Sequence, residues 1–114
     1  MLERELQTAI ISLARYRGYL VAHFRPALTQ AGKWTTPVQG DGAGFPDLVI
    51  AGHGRLIFAE LKSTTGRLSD RQRSWLRTLD QSETRAETYV WRPDDWRTGR
   101  IDRVLGGAEP ETWA

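Results

Sequence analysis

Two short apolar runs joined by a glycine turn constrain this chain more than any other feature. Residues 47–51 (DLVIA) and 55–62 (RLIFAELK) flank Gly52-His53-Gly54. Apolar runs of that length, bounded by turn residues, predict the two strands of a β-hairpin. The second run ends in charge: Glu60-Leu61-Lys62 follows directly on LIFA, a stretch apolar enough to mark a central strand. Charges there are expensive without a purpose. Side chains two apart on a strand share a face, so Glu60 and Lys62 project together while Leu61 points away. Folding the hairpin at 52–54 puts Asp47 opposite residue 59, and therefore beside Glu60. Two carboxylates and one ammonium converge at one end of the hairpin.

Two carboxylates held close repel unless something positive sits between them. A hard divalent cation such as Mg²⁺ is the natural answer, with the Leu61 carbonyl as a further oxygen ligand. Lys62 is then placed to orient or deprotonate a water, or to stabilise charge growing on a phosphate. Only lysine fits the base role, because its pKa can shift and arginine stays charged. The residue stands out in a chain with 14 Arg and 2 Lys. The competing reading is structural, since Glu-x-Lys strand endings are common and cross-strand charge pairs stabilise hairpin surfaces.

Around the hairpin, residues 3–17 predict a helix, with Leu6, Ile10 and Leu13 on one stripe beside Ala9 and Ala14. Gly18 is a plausible C-cap, and residues 19–25 form a strand that ends before Pro26. Residues 26–45 hold two Pro and four Gly and no periodicity, so a long loop is expected. Ser69 fits an N-cap with Gln72 three residues on, a capping box, and the helix runs to about Gln81 with Trp75, Leu76 and Leu79 on one face. Residues 86–92 alternate as a strand, and a short helix covers 95–105. The order α-β-β-β-α-β gives an α/β fold with a mixed sheet, because hairpins pair antiparallel and a β-α-β step pairs parallel. One domain over 1–105 and an acidic, loose tail over 106–114 are expected.

Composition narrows the chemistry. At 114 residues the chain suits a single domain. With no Cys there is no disulfide, thiolate zinc site, iron–sulfur cluster or Cys nucleophile, and two His argue against a His-rich metal site. No stretch approaches the ~18 apolar residues of a membrane span, and the charged MLERELQ start is unlike a signal peptide. A soluble cytoplasmic protein is expected. The net charge of +2 says little about nucleic acid. The arginine bias fits either forked phosphate contacts or a GC-rich coding sequence. Locally, residues 55–77 carry Arg55, Lys62, Arg67, Arg71, Arg73 and Arg77 against Glu60 and Asp70. Arg67, Arg71 and Arg73 sit near the start of the 70–81 helix, where free N–H groups favour phosphate. Each also reads as part of a solvated helix face. Lys33, Trp34 and Gln39 in the long loop are further candidates for substrate contact, Trp34 by stacking on an unpaired base or else by packing the core.

GDGAGFPDLVI, RLIFAELKS and GRLSDRQRSWLRTL, in that order, resemble the VRR-NUC domain. This is the virus-type replication-repair branch of the PD-(D/E)XK nuclease superfamily. The resemblance runs from about Glu3 to Leu105. It implies a restriction-endonuclease-like αβββαβ core, a central mixed β-sheet flanked by helices, and a Mg²⁺-dependent enzyme that hydrolyses DNA through an activated water, with Mn²⁺ as a substitute. By the same resemblance Asp47 and Glu60 bind metal, Lys62 is the catalytic lysine, and Gln72 faces the site from its helix. Glu3 is the family's first-helix glutamate, with Glu5 its close competitor. The two point about 200° apart on a helix, so only one faces the site. His23, with Arg25 beside it, is either an ordinary strand residue or a phosphate contact. No base-reading motif is present, so recognition directed by DNA structure (branches, flaps, junctions) is expected, in a phage or prophage setting. One site per chain and two strands to cut call for a homodimer; Trp91, Trp96 or Trp113 are candidates for its interface. No membrane and no small-molecule organic cofactor are expected. The alternatives are a non-catalytic nuclease-like DNA-binding module and a subunit of a replication or packaging complex.

Overall fold

A computed structural model describes residues 1–24, 27–28, 32, 34–35, 39–82 and 85–107. Helix α1 spans Glu3–Tyr16 and buries Leu6, Ile10 and Ala14, one residue per turn. It stops at Arg17, and Gly18 takes φ 89°, the left-handed conformation that turns the chain into strand β1 (Leu20–His23). Within the segment expected as an irregular loop, β2 (Ala27–Leu28) pairs antiparallel with β3 (Trp34–Thr35). Strands β4 (Leu48–Gly52) and β5 (Arg55–Leu61) form the hairpin. Helix α2 (Asp70–Asp80) crosses over to β6 (Glu87–Trp91), which pairs parallel to β5. The main sheet runs β1-β4-β5-β6, so β5 is a central strand and the expected α-β-β-β-α-β core is present.

The expected last helix is two helices. Helix α3 (Pro93–Arg97) begins on Pro93, where a missing N–H costs nothing, and α4 (Arg100–Leu105) follows a break at Gly99, φ 79°.

Period-two alternation divides the sheet into two faces. Leu48, Ile50, Ile57, Ala59, Leu61, Tyr89 and Trp91 pack on Leu6, Ile10 and Ala14 of α1 and on Ile101, Val104 and Leu105 of α4. Each fully buried Ile or Leu there contributes roughly 1.5–3 kcal/mol. The other face carries Phe58 and Glu60 and looks toward α2. There Phe45 meets Phe24, Phe58 and Trp75 edge-on, with ring centroids 5.2, 6.2 and 4.9 Å away. Trp91 is 1% exposed, so it belongs to the core and cannot supply a subunit interface.

The hairpin turn differs from the expected three-residue Gly52-His53-Gly54 loop. Gly52 pairs with Arg55, leaving only His53 and Gly54, at φ 51° and 74°. Two positive φ values make a type I′ turn, whose twist matches that of the strands. His53 is held in this conformation by its Nε2 contact to the Arg17 carbonyl oxygen (2.7 Å) and by the Tyr19 ring at 4.8 Å. The shorter turn slides the register by one. Leu48 faces Ala59, so the next step opposes Asp47 to Glu60 directly.

Gly44 fixes how the loop before Asp47 meets α2. It has φ 84°, and a Cβ there would lie 2.7 Å from the Arg71 carbonyl carbon and 2.8 Å from the Gln72 nitrogen. Gly44→Ala combines left-handed strain with overlap against helix backbone, about 2 kcal/mol together. Thermal denaturation is expected to show a midpoint lower by roughly 10 °C. A drop of only a degree would mean that the loop does not depend on this close approach.

Candidate active site

Asp47 is fixed from two directions. Its backbone carbonyl accepts a hydrogen bond from Phe24 N–H (3.1 Å), and its Oδ2 accepts one from Leu61 N–H (2.9 Å). Strand β5 outlasts its partner here, and the carboxylate takes up an N–H that the ladder no longer meets. N–H and C=O of one strand residue point the same way, so the Leu61 carbonyl also turns toward Asp47. Lys62 N–H, on the opposite side of the strand, donates to the Trp91 carbonyl (3.0 Å).

Glu60 is buried, only 3% exposed. Its Oε1 accepts a hydrogen bond from Gln72 Nε2 at 3.0 Å and lies 3.9 Å from Lys62 Nζ. Burial pushes the Glu60 carboxyl up to about 9; the charge of Asp47 and a hydrogen bond between the two carboxyls push the same way, as does Glu3, and Lys62 opposes them. Glu3 is therefore within electrostatic reach of Glu60. Glu5 is engaged elsewhere, its Oε1 accepting the Leu2 N–H at 2.9 Å as part of the α1 N-terminus.

Gln72 both caps its helix and reaches Glu60. Its carbonyl oxygen accepts Ser69 N–H (2.8 Å), and Ser69 Oγ accepts Gln72 N–H (3.2 Å), completing the capping box. That fixed carbonyl leaves the amide NH₂ to donate to Glu60. Gln72→Glu keeps the capping acceptor but removes the donor and adds negative charge beside Glu60. We expect the thermal midpoint to hold while cleavage falls about ten- to a hundredfold. Equal cleavage in the variant would reduce Gln72 to a cap.

Other candidates lie apart from this cluster. His23 pairs in register with Leu48, which puts it on the α1 face of the sheet, where its Nδ1 is 3.3 Å from Gln7 Nε2. Asp47 is on the opposite face. Arg25 and Lys33 lie outside the described residues, as do the Trp34 side chain and Trp113. Gln39 is exposed, and Trp96 packs against the core. Arg67, Arg71 and Arg73 are all exposed. Arg71 lines a cleft of about 450 Å³ with Asp41, Ser74, Trp75 and Thr78. Two residues on, Arg73 points to the other flank of α2. Arg55 leaves the basic group altogether: it is bound to Glu87 (2.6 Å) at the far end of the hairpin.

Among the described residues no group of three or more His, Asp or Glu side chains converges. The oxygen donors at this point are the Asp47 and Glu60 carboxylates and the Leu61 carbonyl. Such a set suits a hard divalent cation that keeps several waters. With Glu60 buried against Asp47, a cation there would offset the repulsion between the two carboxylates.

An acidic pair and a lysine on a hairpin, next to a crossover helix and a parallel strand, define a restriction-endonuclease-like nuclease core. A family model described as the VRR-NUC domain matches residues 20–90, from β1 to β6, and the chain belongs to that family. The match includes Asp47, Glu60, Lys62 and Gln72. The chain is thus a nuclease-type domain, for which DNA is the implied substrate and divalent metals are the usual cofactors. No curated protein matches the chain. No described helix is long and apolar enough to cross a membrane.

Proposed function

We propose that the chain is a Mg²⁺-dependent DNA endonuclease, with Mn²⁺ as a substitute, that hydrolyses phosphodiester bonds at branched, flapped or junction DNA. Phage or prophage replication, repair or recombination, in the cytoplasm of a bacterial or phage-infected cell, is the setting in this reading. The observation that carries the reading is the buried Glu60 opposed to Asp47, with Lys62 Nζ 3.9 Å from Glu60 Oε1.

A cation held by Asp47, Glu60 and the Leu61 carbonyl would lower the pKa of water and neutralise charge on the phosphate. The protein's own groups supply the rest. Lys62, whose ammonium lies 3.9 Å from Glu60 Oε1, would there accept or share a proton or offset phosphate charge. Gln72 holds Glu60 Oε1 so that the carboxylate does not rotate. Glu3 adds negative charge at the rim, raising the demand for a cation. Arg67, Arg71 and Arg73 contact phosphates from both flanks of α2, which gives grip without base readout. The described residues hold one such site, so cutting both strands would take two copies, and the reading includes a homodimer.

The deciding experiment is cleavage of supercoiled, single-stranded, flapped and four-way-junction DNA with Mg²⁺ or with EDTA, alongside Asp47→Ala. Cleavage of the branched substrates with Mg²⁺, lost in EDTA and in the variant, is expected. Tight DNA binding with no cleavage under any condition would make the chain a binding module.

A further inference from the structure

The chain just beyond Lys62 is held from outside the site. Residues 63–66 close as a turn in which Gly66 N–H donates to the Ser63 carbonyl (3.3 Å) and to Ser63 Oγ (3.0 Å). This turn folds back over the Lys62 stem. A Cβ added at Gly66 would come within 3.4 Å of Lys62 Cδ and 3.0 Å of Ser63 Oγ. Arg92, the residue after β6, reaches both ends of the turn. Its Nη1 donates to the Ser63 carbonyl at 2.8 Å and to the Gly66 carbonyl at 2.6 Å. The base of Arg92 is anchored too. Its N–H donates to Asp95 Oδ2 (2.8 Å), and the Trp91 carbonyl before it accepts Lys62 N–H (3.0 Å).

We propose that Arg92 is a positioning residue for the reaction: by clamping both ends of the 63–66 turn it holds the Lys62 ammonium beside Glu60. A lysine stem left to itself samples many rotamers, and ordering it for each turnover slows the chemical step. A guanidinium bound to two carbonyls of one turn removes that freedom beforehand. The same clamp sets where the chain leaves for Ser69 and α2, and so where Gln72 begins. Arg92 faces backbone carbonyls, so it acts through the turn and has no need to touch DNA. The role given to Lys62 rests on the nuclease reading; the clamp itself does not.

The chain has two lysines, Lys33 and Lys62, so a protein labelled with ¹³C at lysine gives a spectrum simple enough to read. Lys62→Met assigns its signals by their loss. In the wild type the two Lys62 ε-methylene protons should have separate shifts, as in a held side chain. Arg92→Met should merge them, lower kcat about tenfold on the best DNA substrate and leave KM within about twofold. Arg92→Lys, which keeps a charged donor, should recover most of both, and it serves where Arg92→Met folds poorly. Unchanged Lys62 signals in a folded Arg92→Met protein would overturn the clamp. So would a rise in KM at constant kcat, which would make Arg92 a DNA contact. If the folded wild type cut no DNA, the nuclease reading would fall, while the Lys62 signals would still decide for or against the clamp.

Discussion

Glu60→Gln is expected to remove Mg²⁺-dependent cleavage, by about 10³-fold or more, while leaving the metal-free protein at least as stable as the wild type. The two effects have one cause. Glu60 is buried against Asp47, and without a cation its carboxyl is pushed up from the ordinary 4.5 to about 9. A group whose folded pKa is raised contributes stability that is complete below its unfolded value and is lost as pH rises through the folded value. The metal-free wild type should therefore lose stability steadily between about pH 5 and pH 9. Gln has the same shape and no proton to lose, so the variant should lack that slope. It also lacks the charge that would favour a cation there. On the proposed reading Mg²⁺ would take the place of that proton, so its stabilisation of the wild type should grow with pH and be larger at pH 8 than at pH 6. Thermal denaturation with and without Mg²⁺ at those two pH values, together with the cleavage assay, checks all of it. Cleavage within tenfold of the wild type would end the assignment of Glu60.

The clustering of Glu60, Lys62 and Gln72 is legible because it is written in neighbouring residues. Glu60 and Lys62 share a strand face by alternation alone, and Ser69 with Gln72 spells a helix start whose carbonyl and amide groups have separate uses. The exact opposition of Asp47 and Glu60 was less legible. It depends on whether Gly52-His53-Gly54 folds as two residues or three, and a histidine at φ 51° in the turn is stabilised by Arg17 and Tyr19, which are distant in sequence. Sequence distance also hid the partners of the arginines. Arg55 and Arg67 look alike in a count of charge, yet one meets a carboxylate 32 positions away and the other meets solvent. His23 reads as a candidate by type. Its face is fixed only by pairing with Leu48, which turns it toward Gln7. Gly99 divides α3 from α4, and a lone glycine inside a helical stretch does not by itself say whether the helix ends there or runs on.

Arg55→Met is expected to lower stability by about 3–5 kcal/mol. Arg55 holds Glu87 side-on, through Nη2 (2.6 Å) and Nε (2.8 Å). Its Nη1 donates to Tyr19 OH (2.8 Å) and to the Val104 carbonyl (2.6 Å), so one guanidinium ties the turn end of β5 to β6, to the start of β1 and to α4. Both partners are largely buried, at 17% and 12% exposure. Burial by itself would push the Glu87 carboxyl up, but hydrogen bonds from Arg55 and Tyr89 and the arginine's charge bring it below its ordinary value. Removing Arg55 leaves a buried carboxylate with, among the described residues, the Tyr89 hydroxyl (2.7 Å) as its remaining hydrogen-bond donor. A midpoint lower by more than about 10 °C follows for a domain of this size. The pH dependence has a definite sign. A depressed carboxyl contributes stability above its unfolded pKa and loses it as pH falls through its folded value, so the wild type weakens in acid. In the variant Glu87 takes up a proton readily, so the gap to the wild type should narrow below about pH 5. Replacing both partners, Arg55→Met with Glu87→Leu, leaves no charge stranded and should be more stable than Arg55→Met alone. A loss under about 1 kcal/mol in the single variant would show the pair to be solvated. Because this network sits at the opposite end of the hairpin from Asp47 and Glu60, cleavage per folded molecule should stay the same, which separates an arginine that holds the sheet together from those proposed to hold DNA.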